Sequence, residues 1–470
     1  MNFPSVHSLY TCLFWLVSSA IISFGEPAIK VRIDPNHMVN RISPDFIGLG
    51  YETSAVAQAG YFSAKNETLV RLYRQLSPHG LIRIGGIISD HTNYIPDAAL
   101  SVQTQNGTTI INKAALSELA EFARATGWSV MWGLNLGTGT KEEAVVEAQA
   151  VSEVLGDRLQ SFEIGNEVDA LRRFEKSYDK YHAAYLEYKK AIREKLPNAV
   201  FSGPDITGGG AISWVDSFAV DEAADYKLLT SHYYLGGAGD PRSTIERLLL
   251  PDGGILKQLE HFRAVFKKNR VPYRINETNS FFGGGKAGVS DTFASALWIL
   301  DYLYILALNG AEGVNIETDI NQLGFISHYS PIVHDPAGRC SVRPEYYGML
   351  AFAMTGQGEL LEALLENANL NLVTYATRDK EGTLWLTLIN KDATRDAEIE
   401  AEIPDGYGKA EGFRLIGPSL ESKDQVSFAG VEVGEDGHWS PGAAEGVAVE
   451  NRTVHGTVKH ASAWIIRITK

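Results

Sequence analysis

Cysteine is almost absent from the sequence: the 470 residues include two, Cys12 and Cys340. Cys12 lies in an N-terminal segment that we expect to be removed, so the mature chain would keep one cysteine and could form no internal disulfide. The sequence also lacks an H-E-x-x-H motif or a comparable histidine cluster. A cysteine-based metal site is therefore excluded, and we predict neither a metal site nor an organic cofactor.

Positive charge is scarce as well. The 42 Lys and Arg residues are outnumbered by 57 Asp and Glu residues, which gives a formal net charge of −15. A protein that binds a polyanion normally carries a basic stripe, but the basic clusters here are short, such as Lys267-Lys268 with Arg270. We therefore predict that nucleic acid is not a partner, and the same argument disfavours long sulfated polysaccharides.

Long apolar runs are confined to the N-terminus. The segment Leu9–Phe24 is interrupted only by small polar residues and is followed by Gly25. This pattern predicts a secretory signal peptide over residues 1–25 and a secreted or periplasmic protein with no membrane association after cleavage. No Lys or Arg precedes the run, so an uncleaved membrane anchor is the alternative.

Strand and helix patterns alternate through most of the chain, which is typical of parallel βαβ units. This alternation predicts an α/β fold, a (β/α)8 TIM barrel over residues 43–356. An open doubly wound sheet is the alternative, but Gly48-Leu49-Gly50 is not followed by the helix start that a phosphate loop requires. The candidate barrel strands are Asp45–Glu52, Gly80–Gly86, Trp128–Gly133, Gln160–Glu167, Ala199–Pro204, Lys227–Tyr234, Val271–Glu277 and Glu312–Thr318.

The pattern changes near the C-terminus. Residues 357–470 contain short apolar segments separated by Gly, Pro and Asp turns, which predict an antiparallel β-sandwich domain. The segment Ala28–Ile33 also reads as a strand. We expect residues 26–42 to join the sheet of the C-terminal domain and to bring the chain ends together.

Two glutamates occupy the positions where TIM barrels carry their catalytic groups, the C-terminal ends of strands. Glu167 ends the fourth candidate strand and Glu277 ends the seventh. Glycosidic cleavage requires such a pair, one carboxyl group protonated and the other ionised. A single Glu at a strand end is more often a solvated loop residue, but two of them facing one barrel mouth favour catalysis. Asn166, beside Glu167, can hydrogen-bond a sugar 2-hydroxyl or can cap the turn.

Five stretches of the sequence form a recognisable set: Gly165-Asn166-Glu167, Glu277, Arg83-Ile84-Gly85-Gly86, His232-Tyr233-Tyr234-Leu235 and Arg343-Pro344-Glu345-Tyr346-Tyr347. The Asn-Glu motif alone is shared by a large clan of retaining barrel hydrolases, whereas the combination is more specific. Together these stretches resemble glycoside hydrolase family 79, the heparanases and β-glucuronidases, over nearly the whole chain.

The resemblance implies a role for each site residue. Glu167 would be the acid/base and Glu277 the nucleophile. Tyr233 would orient the nucleophile through its hydroxyl, with Tyr234 as the alternative because adjacent strand residues face opposite ways; both could instead be packing residues. Glu52 would bind sugar hydroxyls. The loop around His328 and Tyr329 would receive the glucuronate carboxylate, largely through backbone N–H groups.

One feature departs from the family pattern. Phe281 and Phe282 stand where some relatives offer an aromatic hydroxyl, which puts part of the carboxylate contact in doubt.

The sequence therefore predicts a retaining exo-β-glucuronidase whose substrate is a glucuronic-acid-containing carbohydrate or a small glucuronide. An endo-acting heparanase-like enzyme is one alternative, and the net charge of −15 argues against it. A related retaining glycosidase acting on a neutral sugar, such as an arabinofuranosidase or a xylosidase, is another. A carbohydrate-binding pseudoenzyme is the non-enzymatic alternative, and the presence of both glutamates argues against it.

Overall fold

The computed structural model describes residues 28–100, 107–223 and 225–470. The predicted signal peptide, residues 1–25, and Cys12 lie outside these residues. In chain order the strands are β1 Ile29–Ile42, β2 Ile47–Glu52, β3 Leu81–Gly85, β4 Thr92–Tyr94, β5 Thr109–Ile111, β6 Ser129–Leu134, β7 Leu159–Ile164, β8 Phe201–Ile206, β9 Leu229–Gly237, β10 Tyr273–Phe282, β11 Gly313–Glu317, β12 Ile332–His334, β13 Cys340–Val342, β14 Gly358–Glu366, β15 Leu372–Arg378, β16 Leu384–Asn390, β17 Ala397–Glu402, β18 Lys409–Ile416, β19 Ser427–Phe428, β20 Glu445–Val447, β21 Val449–Glu450, β22 Thr453–Val458 and β23 Ser462–Thr469.

The α-helices lie mostly between the barrel strands. They are α1 Glu67–Leu76, α2 Gly86–Ser89, α3 Lys113–Thr126, α4 Lys141–Leu155, α5 Tyr178–Lys195, α6 Ser213–Asp221, α7 Ile245–Leu249, α8 Gly253–Asn269, α9 Phe293–Leu308 and α10 Pro344–Thr355.

Eight strands close into a parallel barrel in the order β10-β11-β2-β3-β6-β7-β8-β9, which confirms the predicted fold. The helices around it begin where the sequence provides caps. In α4, for example, the Thr140 hydroxyl accepts from the Glu143 N–H and the Glu143 carboxylate accepts from the Thr140 N–H, a reciprocal cap that satisfies two otherwise unpaired donors. Because all eight strands are parallel, their C-terminal ends meet at one mouth of the barrel.

The C-terminal part forms a second body, a curled sheet of eleven strands around its own apolar core. The N-terminal strand β1 belongs to this sheet, as predicted. It pairs antiparallel with β14 and parallel with β17, so the two ends of the described chain meet in one domain.

The helix α9 connects the two bodies. Its side chains are apolar around nearly its whole circumference and almost all are buried, as expected for a helix covered on every side. Its one acidic residue, Asp301, is ion-paired with Lys391 of the sheet domain and accepts a hydrogen bond from the Tyr375 hydroxyl. This buried polar contact fixes the sheet domain against the barrel. Across the described residues, no helix combines the length and the apolar character that crossing a membrane requires.

Candidate active site

Glu167 and Glu277 meet at the C-terminal mouth of the barrel. Glu167 follows β7, and Glu277 lies within β10. One carboxylate oxygen of each lies within 4.8 Å of the other. Such proximity brings the two groups to opposite sides of a single bond, as a pair of cooperating carboxyl groups requires.

The backbone that carries Glu167 is unusual and firmly held. Gly165 and Glu167 have positive φ angles of 87° and 45°, a left-handed conformation that costs a non-glycine residue energy and needs support. Asp90 provides it, since its carboxylate accepts from the N–H groups of Asn166, Leu136 and Gly137 at 2.8–3.1 Å. Burial raises the pKa of Asp90 to about 7, although these three donors favour the ionised form.

Arg83 is the central cation of the site. From β3 it donates to Glu277 at 2.7 Å, to Asn166 at 2.7 Å, to Asp205 at 2.8 Å and to Glu163 at 3.1 Å. Burial lowers the pKa of Arg83, but the neighbouring carboxylates outweigh burial and hold it well above its ordinary value. Arg83 therefore places a positive charge directly against one carboxylate oxygen of Glu277.

Tyr234 is the second hydrogen-bond donor to Glu277. The Tyr234 hydroxyl lies 2.9 Å from Glu277 Oε1. The prediction that Tyr233 orients the nucleophile is wrong, because the Tyr233 hydroxyl donates to Asp252 on the outer side of the barrel. Side chains alternate along β9, so His232 and Tyr234 face the barrel interior and Tyr233 faces away. The alternative partner, Tyr234, is the one that the fold selects.

His232 connects the two glutamates. Its Nδ1 lies 3.2 Å from Glu167 Oε1 and 3.6 Å from Glu277 Oε2, and its Nε2 lies 2.8 Å from Asp205. Burial lowers the pKa of His232, but Glu277 and Asp205 more than compensate and raise it well above its ordinary value. The imidazolium form donates from both nitrogens, so it orients both carboxylates and has no lone pair to offer.

The atoms of Glu167, His232 and Glu277 are close enough together to hold a metal ion. Two features oppose that use. The guanidinium of Arg83 occupies one oxygen of Glu277, and a protonated His232 cannot be a ligand. The donor set fits proton transfer and nucleophilic attack better than it fits metal binding.

A cavity of about 360 Å³ opens above the pair, a size suited to a small ligand. Glu52, which the sequence predicts to bind sugar hydroxyls, is one of its lining residues. One oxygen of Glu52 accepts from the Ile88 N–H at 2.8 Å. Burial and the nearby Glu277 raise the pKa of Glu52 to about 8. Glu52 is therefore a neutral acid at neutral pH and can donate as well as accept.

The other predicted binding residues divide into two groups. Asn166 is buried beside the pair, and its Oδ1 accepts from Arg83, which leaves its amide hydrogens to offer to a sugar. Tyr329 lines the cavity. The structure corrects the prediction for His328: its N–H donates to the Gly284 carbonyl at 2.6 Å and its imidazole lies 3.6 Å from Asp291. These contacts leave His328 outside the cavity, so Tyr329 is the residue of this loop that lines the site.

Sequence reasoning gave no role to several residues of the site. They share one signal, a polar side chain at a buried position of a barrel strand. The residues are Arg83, Glu163, Asp205, His232 and Glu317. In an interior filled by side chains, such residues are expected to form a connected network, because an unpaired buried charge is costly.

The chain has relatives of known activity at low sequence identity. No family model matches it. A β-glucuronidase from Aspergillus niger is 24% identical over 392 residues, covering 74% of this chain and 69% of that protein. A β-glucuronidase from Neurospora crassa is 22% identical over 387 residues, covering 72% and 68%. The solved structure of a 4-O-α-L-rhamnosyl-β-D-glucuronidase from Fusarium oxysporum matches with a TM-score of 0.76 at 18% identity, over 95% of this chain and all of that one, and so shares its fold.

Proposed function

Because the chain belongs to glycoside hydrolase family 79, we propose that it is a retaining, exo-acting β-glucuronidase. It removes terminal β-D-glucuronic acid from glycoconjugates or small glucuronides. The observation that carries the retaining mechanism is the short separation of Glu167 and Glu277. One carboxylate oxygen of Glu167 lies within 4.8 Å of one carboxylate oxygen of Glu277. Retaining pairs are separated by about 5–5.5 Å, whereas inverting pairs are about 6.5–9.5 Å apart to admit a water molecule.

In the first step Glu277 attacks the anomeric carbon from the face opposite the aglycone. The bond from that carbon to the leaving oxygen breaks, and its electron pair goes to the aglycone, which takes a proton from Glu167. Arg83 and Tyr234 each bind one oxygen of Glu277, so the carboxylate is oriented before the substrate arrives. The product of this step is a glycosyl ester of Glu277 with inverted configuration.

In the second step Glu167, now ionised, takes a proton from a water molecule. The water attacks the anomeric carbon and displaces Glu277 as a carboxylate, which restores the β configuration. His232 lies within hydrogen-bond distance of one oxygen of Glu167. This contact keeps the carboxyl group in place while it changes from acid to base.

The cavity does not suit a densely sulfated polymer. Its described lining contains Glu52, Ile87, Thr207, Phe282 and Gln322 besides the groups already named, and it includes neither Lys nor Arg. A heparanase-like endo enzyme would need basic groups along its cleft to bind dense sulfate. The lining and the net charge of −15 both argue against a heparanase-like endo enzyme, which leaves exo action on glucuronides as the proposal.

The test is a panel of matched chromogenic β-glycosides at a single pH. We expect hydrolysis of the glucuronide with a kcat/KM at least about 100-fold above that of the glucoside, since a site built for a polar group discriminates strongly against its absence. The Glu277→Gln variant controls for contaminating activity and should be inactive. Equal rates on the two substrates, or a preference for an arabinofuranoside or xyloside, would contradict the proposal.

A further inference from the structure

Glu317 is a site residue to which neither the sequence motifs nor the mechanism gives a role. It ends β11, is 4% exposed and lines the same cavity as Glu167 and Glu277. Its Oε2 is buried and has no hydrogen-bond partner among the described residues. An unpartnered buried carboxyl oxygen is costly, so its presence at the edge of a ligand cavity requires an explanation.

The fold makes room for this carboxyl group. Gly50 pairs with Glu317 on the adjacent strand β2. A Cβ atom at Gly50 would lie 2.6 Å from Glu317 Oε2, so any larger residue there would force the carboxyl group to move. The glycine therefore lets the carboxyl group lie flat against the strand, beside the cavity.

The electrostatic neighbours of Glu317 show which part of the cavity it serves. It interacts with the nucleophile Glu277 and with Glu52. Burial raises the pKa of the Tyr329 hydroxyl, and Glu317 raises it further. Glu317 thus lies near both the nucleophile and Tyr329, whose loop is predicted to receive the carboxylate of the sugar. No Lys or Arg lines this cavity among the described residues, so that carboxylate would meet uncharged donors: hydroxyl, amide, backbone N–H and protonated acid groups.

We propose that Glu317 is a specificity-determining residue that, in its carboxylic acid form, donates a hydrogen bond to the carboxylate of the bound sugar. This inference rests on the proposed function. The acid O–H supplies a charge-assisted hydrogen bond to an anion, and it does so without a cation that would also attract sulfate.

The surroundings of Glu317 favour the form that can donate. Burial is the largest cause that raises the pKa of Glu317, and repulsion from Glu277 and Glu52 comes next. Arg83 and His232 act in the opposite direction but do not outweigh these causes, and the pKa of Glu317 stays well above its ordinary value. The hydroxyls of Tyr234 and Tyr329 also face it. Once Glu317 ionises, it repels an anionic sugar in the same small cavity.

The experiment compares kcat/KM for a β-glucuronide and the matching β-glucoside across pH 5 to 9. In the wild type we expect the ratio of the two values to fall about tenfold or more as pH rises, because only the glucuronide is repelled by ionised Glu317. In Glu317→Gln the side chain keeps a donor and cannot ionise, so the ratio should stay within about tenfold of the acidic wild-type value. It should fall with pH much less than in the wild type, and the remaining fall comes from Glu52 in the same cavity.

Two further variants complete the test. Glu317→Leu removes the donor and should lower the ratio at every pH. Glu147→Gln is the matched control, since Glu147 is a buried carboxyl group with its pKa also raised, but it lies on α4 beside Trp132 and not in the cavity. It should leave the ratio and its pH dependence unchanged.

The outcomes separate this inference from the function on which it rests. Equal wild-type rates on glucuronide and glucoside at acidic pH would overturn both. A selective wild type whose selectivity and pH dependence persist in Glu317→Gln and Glu317→Leu would overturn the role of Glu317 alone. Loss of selectivity in Glu317→Leu, together with a much weaker pH dependence of the ratio in Glu317→Gln than in the wild type, would support it.

Discussion

The nucleophile is held at both oxygens, by a cation on one side and by a neutral hydroxyl on the other. Arg83 donates a charged hydrogen bond to one oxygen, and Tyr234 orients the carboxylate through a hydrogen bond to the other. Neither contact is local in sequence, since β3, β9 and β10 come from distant parts of the chain. At the scale of single residues, catalysis therefore depends on which side chains of β9 face inward.

The two adjacent tyrosines of β9 provide a matched test of this point. Tyr234→Phe removes one hydrogen bond to an ionised carboxylate, a loss of about 1.5–3 kcal/mol, so kcat/KM for a β-glucuronide should fall about 10- to 100-fold. Tyr233→Phe removes a hydroxyl that contacts Asp252 outside the barrel and should change kcat/KM less than about threefold. A larger loss in Tyr233→Phe than in Tyr234→Phe would show that the orientation of β9 is wrong.

The same residues show what could be predicted from sequence. Glu167 and Glu277 were identifiable because a polar residue at the end of an apolar strand is visible in the pattern itself. The choice between Tyr233 and Tyr234 was not, because it depends on which position of β9 faces the interior. Glu317 was also a strand-end carboxylate, but without a neighbouring motif nothing distinguished it from a solvated loop residue.

At the scale of elements, the barrel was predictable because βαβ units impose parallel pairing, and the addition of β1 to the sheet domain followed from its strand pattern. The strand order of that sheet was not predictable. β23, the last strand, inserts between β16 and β18, and such long-range pairings are set by burial of both faces and not by local sequence. The hydrogen bonds from the backbone after β7 to Asp90 could not be predicted either, because they also join residues that are far apart in sequence.

At the scale of the whole molecule, buried carboxyl groups make folding depend on pH. Burial raises the pKa to about 8 for Glu52 and Glu147, and to about 7 for Glu163. Ordinary glutamates in the unfolded chain ionise near pH 4.3. Between these values the folded chain keeps protons that the unfolded chain has lost, so the stability they contribute decreases as pH rises from about 4.5 to about 8.

Glu147 isolates this effect because its pKa responds mainly to burial, opposed by one hydrogen bond from Trp132. Glu147→Gln keeps an acceptor for the Trp132 N–H at nearly the same volume but binds no proton. Its free energy of unfolding, measured by urea denaturation, should decrease less between pH 5 and pH 8 than that of the wild type. An equal decrease in both proteins would show that Glu147 ionises normally in the folded state.

The central claim assigns opposite roles to Glu167 and Glu277, and azide rescue with an activated aryl β-glucuronide tests it most directly. Glu167→Ala should form the covalent intermediate and stall, and azide, which needs no base, should then give the β-glucuronosyl azide by a second inversion. Glu277→Ala has no nucleophile, so azide should attack once and give the α-azide. The anomer of each product is read by NMR. The predicted result is β from Glu167→Ala and α from Glu277→Ala; the reverse pairing would contradict the assignment.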